Sequence, residues 1–192
     1  MKKLDTRIEF RDKRNMLTNE KVDQLSAQIF NRFFQQFDIS EFSCVHYFKS
    51  INKLKEVNTK YFEELMYEKF PQVKTATSVS DINSNALTHY IIDKNSTFKE
   101  NLLRIPEPTN GKKISEKEIN LVLIPMFAFD KLGHRVGYGK GYYDRFLREL
   151  NSDCVKVGVN FFEPIDSIDD SDAFDVAMDY CITPEKVYIF KV

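Results

Sequence analysis

The segment LVLIPMFAFDKLGHRVGYGKGYYDRFL occupies residues 121–147. Its first five residues form a continuous apolar run, which is the pattern of a strand buried on both faces of a sheet. Four of the six glycines in the chain follow within nine residues, at positions 133, 137, 139 and 141. Residues from about 142 to 150 then have the apolar spacing of a helix. The segment predicts a buried strand, a glycine-rich turn and a helix in direct succession.

The glycine-rich turn is the first candidate for a binding site. Glycine is used where the backbone must adopt a positive φ or approach a ligand closely, and open α/β sheets bind ligands at the carboxyl ends of their strands. Successive backbone N–H groups in front of a helix form a concavity for phosphate. Arg135 and Lys140 would add mobile positive charge, with Arg145 beside them, and Asp144 is suited to hold a Mg²⁺ ion that bridges phosphate oxygens.

Two considerations limit what this turn indicates by itself. Glycine-rich turns also occur in plain hairpins. In addition, the G-x-G-x-G spacing of residues 137–141 lacks the two-residue gap of the dinucleotide-binding fingerprint, and no Gly-Lys-Ser/Thr sequence follows, as a P-loop requires. The residues alone favour phosphate binding and leave the kind of phosphate compound open.

Outside this segment the chain alternates between helical and strand patterns. Thr18 precedes a run in which apolar residues recur every three or four positions, which predicts a capped amphipathic helix. The other predicted elements are helices at 2–17 and around 61–70, and strands at 44–48, 73–79, 87–92, 155–159 and 187–190. This alternation predicts an α/β fold with three layers, in which a mainly parallel central sheet is flanked by helices in a Rossmann-like open arrangement.

Length and composition predict one globular domain that spans residues 1–192. Hydrophobic residues make up 42% and charged residues 30% of the chain, and the formal net charge is −1. This balance gives no general attraction to nucleic acid or to an anionic membrane, and no stretch has the length and apolarity of a membrane span. Three isolated cysteines fit buried thiols in a reducing compartment better than a disulfide framework. We therefore expect a cytoplasmic monomer that acts on small molecules.

The run from Leu123 to Leu147 closely resembles the signature of the 5-formyltetrahydrofolate cyclo-ligases, which are also called methenyltetrahydrofolate synthetases. The match is long and ungapped, and weaker matches occur in the same order along nearly the whole chain. They resemble the family's basic opening helix, its S…E-x-x-T segment, its I-x-E-P element and its closing segment. The residues that carry them are Lys3, Arg7, Arg14, Leu17, Thr18, Ser50, Glu56, Thr59, Ile105, Pro106, Glu107, Pro108, Asp175 and Asp179.

The resemblance implies a ligase of one-carbon folate metabolism that depends on ATP and Mg²⁺. Such an enzyme converts 5-formyltetrahydrofolate into 5,10-methenyltetrahydrofolate and releases ADP and phosphate. By the same resemblance Lys140 and Arg135 are catalytic, and Asp144 and Asp175 hold the metal. The implied ATP-binding residues are Lys3, Arg7, Arg135, Val136, Gly137, Tyr138, Gly139, Lys140, Gly141, Tyr142 and Tyr143. The implied folate-binding residues are Ile51, Glu56, Tyr138 and Tyr142.

Three positions depart from the family's pattern. Arg104 replaces a glycine that often precedes the I-x-E-P element, Phe174 stands where a histidine is common, and Asn58 replaces a frequent aspartate. The stretch from Thr75 to Phe98 gives no alignment. These departures concern details of the substrate contacts and leave the glycine-rich turn intact.

Each implied role has a plainer alternative. Lys3 and Arg7 fit a solvated helix face, Glu56 fits an acid that starts a helix, and Asp175 belongs to an acidic patch at residues 166–179. Two other function classes also stay open. One is a different ATP-using enzyme on the same scaffold, and the other is a protein that binds folate or nucleotide without catalysis.

Overall fold

The computed structural model of the protein describes residues 1–190. One eight-stranded sheet forms its centre, and four further short strands form two antiparallel pairs. In chain order the strands are β1 Cys44–His46, β2 Lys74–Asp81, β3 Ala86–Ile92, β4 Phe98–Glu100, β5 Pro106–Pro108, β6 Lys113–Ile114, β7 Leu121–Ile124, β8 Ala128–Phe129, β9 Arg135–Val136, β10 Val155–Val159, β11 Tyr180–Ile182 and β12 Val187–Ile189. The order across the large sheet is β12-β11-β10-β7-β1-β2-β3-β6.

The middle of this sheet is parallel. Strands β11, β10, β7, β1 and β2 all run in the same direction, whereas β12, β3 and β6 join antiparallel towards the two edges. All four residues of β7 are buried, as expected for an apolar strand that is covered on both faces. The predicted mainly parallel α/β sheet is confirmed.

Four α-helices flank the sheet in the described residues: α1 Lys3–Asn15, α2 Asn19–Gln36, α3 Lys60–Lys69 and α4 Tyr142–Glu149. The start of α2 is the predicted one, because the Thr18 side chain accepts a hydrogen bond from the backbone N–H of Lys21 and so satisfies a free donor of the first turn. No helix within residues 1–190 is long and apolar enough to cross a membrane.

The helices cover both faces of the sheet and give the three predicted layers. On one face α2 and α3 bury Phe30 and Phe62 against Leu123 of β7. On the other face α4 buries Phe146 against Val122, the neighbouring residue of the same strand. Adjacent residues of β7 therefore enter opposite halves of the core, as the alternation of side chains along a strand requires.

The segment after β7 differs from the predicted single turn. Strands β8 and β9 form a hairpin between the buried strand and α4, with Gly133 at φ 86° in its turn. Arg135 and Val136 consequently lie in a buried strand of this hairpin, and the loop proper is confined to residues 137–141. Val136 is buried, so this part of the glycine-rich segment contributes to the core.

The carboxyl ends of β1, β7 and β10 meet at one edge of the sheet because these strands are parallel. The segment after β1 leads to Glu56, and the segment after β7 leads through the hairpin to the loop at 137–141. This edge is where open α/β sheets bind ligands, and it is where the candidate site lies.

A buried histidine pair lies beneath α4. Ser78 bridges the two imidazoles, with its Oγ 2.7 Å from His46 Nε2 and 3.1 Å from His89 Nδ1. The Phe146 ring packs against both. Burial lowers the pKa of His46 well below its ordinary value of 6.5, and it lowers the pKa of His89 to about 4. Both side chains are therefore neutral in the folded protein near neutral pH.

We expect acid to destabilise the fold through this pair. Below pH 6.5 the unfolded chain binds protons on these imidazoles that the folded protein binds only at lower pH, so the free energy of unfolding falls as the pH falls. The loss is about 2 kcal/mol per imidazole at about pH 5. Urea unfolding near neutral pH and in mild acid should show a smaller loss in His89→Gln than in the wild type, and equal losses would contradict this.

Candidate active site

The loop at residues 137–141 has the backbone that the glycines predict. Gly139 and Gly141 adopt left-handed conformations with φ 86° and 70°, which other residues adopt only at a cost. Gly141 immediately precedes α4, so free backbone N–H groups of the helix start adjoin the loop. A Cβ atom on Gly137 would meet nothing within 4 Å, so the backbone here is open to a ligand.

Of the two basic residues in helix α1 that the resemblance singled out, Arg7 contacts this loop and Lys3 contacts Asp175. Arg7 donates a hydrogen bond of 2.8 Å from Nε to the carbonyl of Gly137. Its guanidinium also lies against Gly139, where a Cβ atom would be only 3.1 Å from Arg7 Nη2. Lys3 forms an ion pair of 2.6 Å with Asp175. Lys3 and Arg7 therefore contact distant segments of the chain, which residues of a purely solvated helix face would not do.

Arg135 and Asp144 form an ion pair of 2.6 Å behind the loop. Arg135 is 8% exposed and also donates a hydrogen bond to the carbonyl of Val176. Burial lowers the pKa of Arg135, and the charge of Asp144 opposes that effect. The expectation that Arg135 supplies mobile positive charge is wrong, because β9 and these two partners hold the guanidinium in place.

Lys140 is the cation of the loop that stays free to move. Its side chain is exposed, and its Nζ has no hydrogen-bond or ion-pair partner among residues 1–190. The Arg145 guanidinium donates a hydrogen bond to the backbone carbonyl of Lys140, so Arg145 is engaged with the loop itself. Lys140 can therefore turn towards an anion that enters the loop.

The aromatic residues of the segment have different surroundings. Tyr143 packs next to Phe146 at the edge of the core, and the buried Val136 can contact a nucleotide only through its backbone. The Tyr142 hydroxyl donates a hydrogen bond of 3.2 Å to the carbonyl of Asp81 at the end of β2. Tyr138 is 40% exposed, and its ring packs edge-on against Phe127.

Glu56 meets the glycine-rich loop at Tyr138, although 82 residues separate them in the chain. The Tyr138 hydroxyl donates to Glu56 Oε1 over 2.5 Å, and the backbone N–H of Ile51 donates to Oε2 over 2.7 Å. Burial raises the pKa of Glu56, and the Tyr138 hydrogen bond opposes that rise. Helix α3 is preceded by Thr59 as its N-cap, so the interpretation of Glu56 as an acid that starts this helix is wrong.

The carboxylates of Asp144 and Asp175 form the candidate metal site. The backbone N–H of Val176, next to Asp175, donates to Asp144 Oδ1 over 3.3 Å, which places the two acidic segments side by side. No group of three or more histidine, cysteine or acidic side chains in the described residues is arranged to hold a metal. Mg²⁺ needs only one or two carboxylates when substrate phosphates and water complete its shell, so these residues fit that ion.

The three departures from the family's pattern have local explanations. Arg104 adopts a left-handed backbone with φ 62°, the conformation for which glycine is the usual choice. Asn58 donates a hydrogen bond of 3.0 Å to Asp23, where an aspartate would place two negative charges together. Phe174 is exposed next to the guanidinium of Arg148.

Sequence reasoning assigned no role to Arg14, whose guanidinium the structure places over the Phe127 ring. Thr6, Phe10 and Arg14 are the buried residues of α1, and their spacing of four residues puts them on one helix face. That spacing was readable from the sequence. The sequence signal for a role of Arg14 is that an arginine continues the buried face of this helix.

Comparisons with known proteins concern the family and the fold of the chain. An α/β protein with a glycine-rich loop at the carboxyl edge of its sheet is the class that the fold and the site define. The model of the 5-formyltetrahydrofolate cyclo-ligase family matches residues 1–184. A Schizosaccharomyces pombe protein named as a probable 5-formyltetrahydrofolate cyclo-ligase is 30% identical over 148 residues, which cover 69% of this chain and 71% of the relative. The chain belongs to the 5-formyltetrahydrofolate cyclo-ligase family.

Other relatives match over shorter segments. The cyclo-ligases of Mycoplasma genitalium and Mycoplasma pneumoniae are 40% and 35% identical over 52 and 85 residues. These matches cover 27% and 44% of this chain and span 32% and 49% of the two relatives.

Two solved structures share the fold. The 5,10-methenyltetrahydrofolate synthetase of Aquifex aeolicus superposes with a TM-score of 0.83 at 24% identity, over 100% of this chain and 94% of that one. The Mycoplasma pneumoniae synthetase superposes with a TM-score of 0.74 at 23% identity, over 96% of this chain and 99% of that one.

Proposed function

We propose that this protein catalyses the ATP-dependent cyclisation of 5-formyltetrahydrofolate to 5,10-methenyltetrahydrofolate, with release of ADP and phosphate. One observation carries the proposal: Tyr138, within the loop suited to phosphate, donates its hydroxyl to the buried carboxylate of Glu56. A loop for phosphate therefore adjoins an acceptor for hydrogen bonds from a bound pterin.

The reaction needs an activated oxygen more than it needs a protein nucleophile. The formyl group of the substrate is an amide, and direct attack on it by the 10-nitrogen would have to expel an oxygen that leaves poorly. Transfer of the γ-phosphoryl group of ATP to the formyl oxygen releases ADP and gives an iminium phosphate. The 10-nitrogen then bonds to the formyl carbon and loses its proton, and phosphate leaves with the electrons of the carbon–oxygen bond. Positioning and charge stabilisation are the enzyme's tasks.

The residues around the loop divide these tasks. The backbone N–H groups of residues 137–141 would hold the terminal phosphates, and Lys140 would follow the charge that develops on the transferring phosphoryl group. Arg7 and Lys3 would contact the nucleotide from α1. Arg135 acts in this proposal from a fixed position, since Asp144 and Val176 hold it.

Asp144 and Asp175 would hold Mg²⁺, which neutralises negative charge on the phosphates when it is bound. Asp144 forms an ion pair with Arg135, and Asp175 forms one with Lys3. A metal ion with its nucleotide would therefore share these carboxylates with the two basic residues. The same basic residues hold the carboxylates in place.

We further propose that the protein acts as a cytoplasmic monomer on small molecules. The three cysteines support the compartment, because all of them are free and buried, as in a protein that needs no oxidising environment.

An absorbance assay for the methenyl product tests the proposed function. With purified protein and 5-formyltetrahydrofolate, product should accumulate when ATP and Mg²⁺ are present and not when ATP is omitted. ADP release with no methenyl product would favour another ATP-using enzyme on this scaffold. Binding of both ligands with no ADP release would favour a protein that only binds them.

The Glu56→Gln substitution tests the folate side of the site. An amide in this position loses the charged acceptor, so we expect about tenfold weaker binding of 5-formyltetrahydrofolate and little change for ATP. Calorimetry with each ligand separately measures both. Glu64→Gln is the matched control, since Glu64 is exposed on α3 and, among residues 1–190, pairs only with Lys60. Equal weakening of both ligands in Glu56→Gln would contradict the assignment.

A further inference from the structure

Arg14 at the end of α1 is a buried cation whose protein contacts do not account for all of its donors. The residue is 4% exposed. Its Nη2 donates to the carbonyl of Met126, whereas Nε and Nη1 are buried without a hydrogen-bond partner in the described part of the chain. A guanidinium stays charged in a protein, and a buried charge is costly unless another charge compensates it. Something near Arg14 must therefore carry negative charge.

A continuous series of contacts leads from Arg14 to the candidate folate site. Its guanidinium lies 4.6 Å from the centre of the Phe127 ring. That ring packs edge-on against Tyr138 with 4.7 Å between the centroids, and the Tyr138 hydroxyl binds Glu56. Glu56 is itself only 5% exposed and is the buried anion of this region.

Lys55 fixes the segment that carries Glu56 onto the same end of α1. Its Nζ donates a hydrogen bond of 2.8 Å to the carbonyl of Asn15 and a second one to the carbonyl of Leu17. A lysine that binds the last carbonyls of a helix is favourably placed. The Glu56 segment is therefore attached to α1 directly after Arg14.

We propose that Arg14 is a positioning residue for the folate site: through Phe127 and Tyr138 its buried guanidinium holds the Glu56 carboxylate in place and supplies the positive charge that compensates it. This inference rests on the proposed function, because it treats Glu56 as the group that receives the substrate. Arg14 is needed so that a carboxylate away from water can still accept hydrogen bonds in its charged form.

The charges around Glu56 support this role. The groups that face the carboxylate are Arg14 from α1, Tyr138 from the glycine-rich loop and Tyr143 from α4, together with the backbone N–H of Ile51. Burial raises the pKa of Glu56, and the Tyr138 hydrogen bond, the charge of Arg14 and the Ile51 N–H all lower it. Arg14 is the one cation among these groups. Its removal should therefore raise the pKa of Glu56, because less positive charge then opposes the effect of burial.

The test compares Arg14→Gln, Arg14→Lys and the control Arg11→Gln, which changes an exposed arginine of the same helix. For Arg14→Gln we expect the KM for 5-formyltetrahydrofolate to rise about tenfold and to rise further as the pH falls, because Glu56 then becomes protonated more easily. The KM for ATP should change little. Arg14→Lys keeps the charge, so it should keep the wild-type pH profile with a smaller rise in KM. Arg11→Gln should match the wild type.

A second measurement needs no substrate and separates this inference from the proposed function. Carbon-13 NMR titration of Glu56, assigned by the signal that Glu56→Gln removes, should show a higher pKa in Arg14→Gln than in the wild type. An unchanged Glu56 titration would overturn the inference even if the wild type is an active cyclo-ligase. So would a lower melting temperature with an unchanged folate KM. If Arg14→Gln does not fold, Arg14→Lys carries the test, because lysine keeps the positive charge. A pH profile of its folate KM that shifts as expected for loss of the charge would also overturn the inference.

Discussion

Lys140→Ala is expected to lower kcat by about 100- to 1,000-fold, the size of effect seen when a group that stabilises transition-state charge is removed. Lys140 is exposed, and its Nζ has no partner within residues 1–190. Its removal therefore leaves the packing of the loop unchanged. The loss should appear in turnover and not in the melting temperature.

Single-turnover kinetics with 5-formyltetrahydrofolate, ATP and Mg²⁺ measure this effect at the chemical step. Lys131→Ala is the matched control, because Lys131 is an exposed lysine in the turn of the neighbouring hairpin and its partner in the described residues is Asp166. It should turn over at the wild-type rate. Near-normal turnover in Lys140→Ala would remove Lys140 from the catalytic assignment.

Asp144→Asn is expected to have two separate effects. It removes a proposed Mg²⁺ ligand, so the Mg²⁺ concentration needed for half-maximal activity should rise and the maximal rate should fall. It also leaves the buried Arg135 without its charged partner, which should cost about 3 kcal/mol of folding stability. Both effects follow from the position of Asp144 between the loop and Arg135.

A Mg²⁺ titration of activity, carried out well below the melting temperature of the variant, keeps these effects apart. Asp153→Asn is the matched control, because Asp153 is an exposed aspartate just beyond α4. We expect a higher Mg²⁺ requirement in Asp144→Asn alone. An unchanged Mg²⁺ titration would rule out Asp144 as a ligand and leave it only the structural role with Arg135.

Local patterns in the sequence were sufficient for the main elements of the fold. The apolar run at 121–124 is the fully buried β7, and Thr18 caps α2 as predicted. The glycine cluster also indicated its own geometry, since Gly133, Gly139 and Gly141 all have positive φ. These features depend on a few neighbouring residues, so a single sequence reveals them.

The features that sequence reasoning missed depend on contacts between distant segments. Strands β8 and β9 have two residues each, and only their pairing with each other makes them strands. The sequence predicts a mobile charge at Arg135, because no neighbouring residue in the chain indicates its two contacts. These are the ion pair with Asp144 and the hydrogen bond to the backbone carbonyl of Val176. For the same reason the contact between Tyr138 and Glu56 could not be derived from spacing.

The resemblance to a family supplied what local patterns could not, namely which distant residues belong together. The resemblance selects Lys3, Arg7 and Asp175; the structure places Arg7 against Gly137 of the loop and pairs Lys3 with Asp175. Their roles towards ATP and Mg²⁺ stay predictions. Arg14 was part of the same resemblance without a role, and its burial is what suggests one.

A crystal structure with a non-hydrolysable ATP analogue and Mg²⁺ tests the central claim most directly. We expect the terminal phosphates to accept hydrogen bonds from backbone N–H groups of residues 137–141, with Lys140 turned towards them and the Tyr138 hydroxyl still bound to Glu56. Phosphates bound elsewhere, with this loop in contact with none of them, would contradict it.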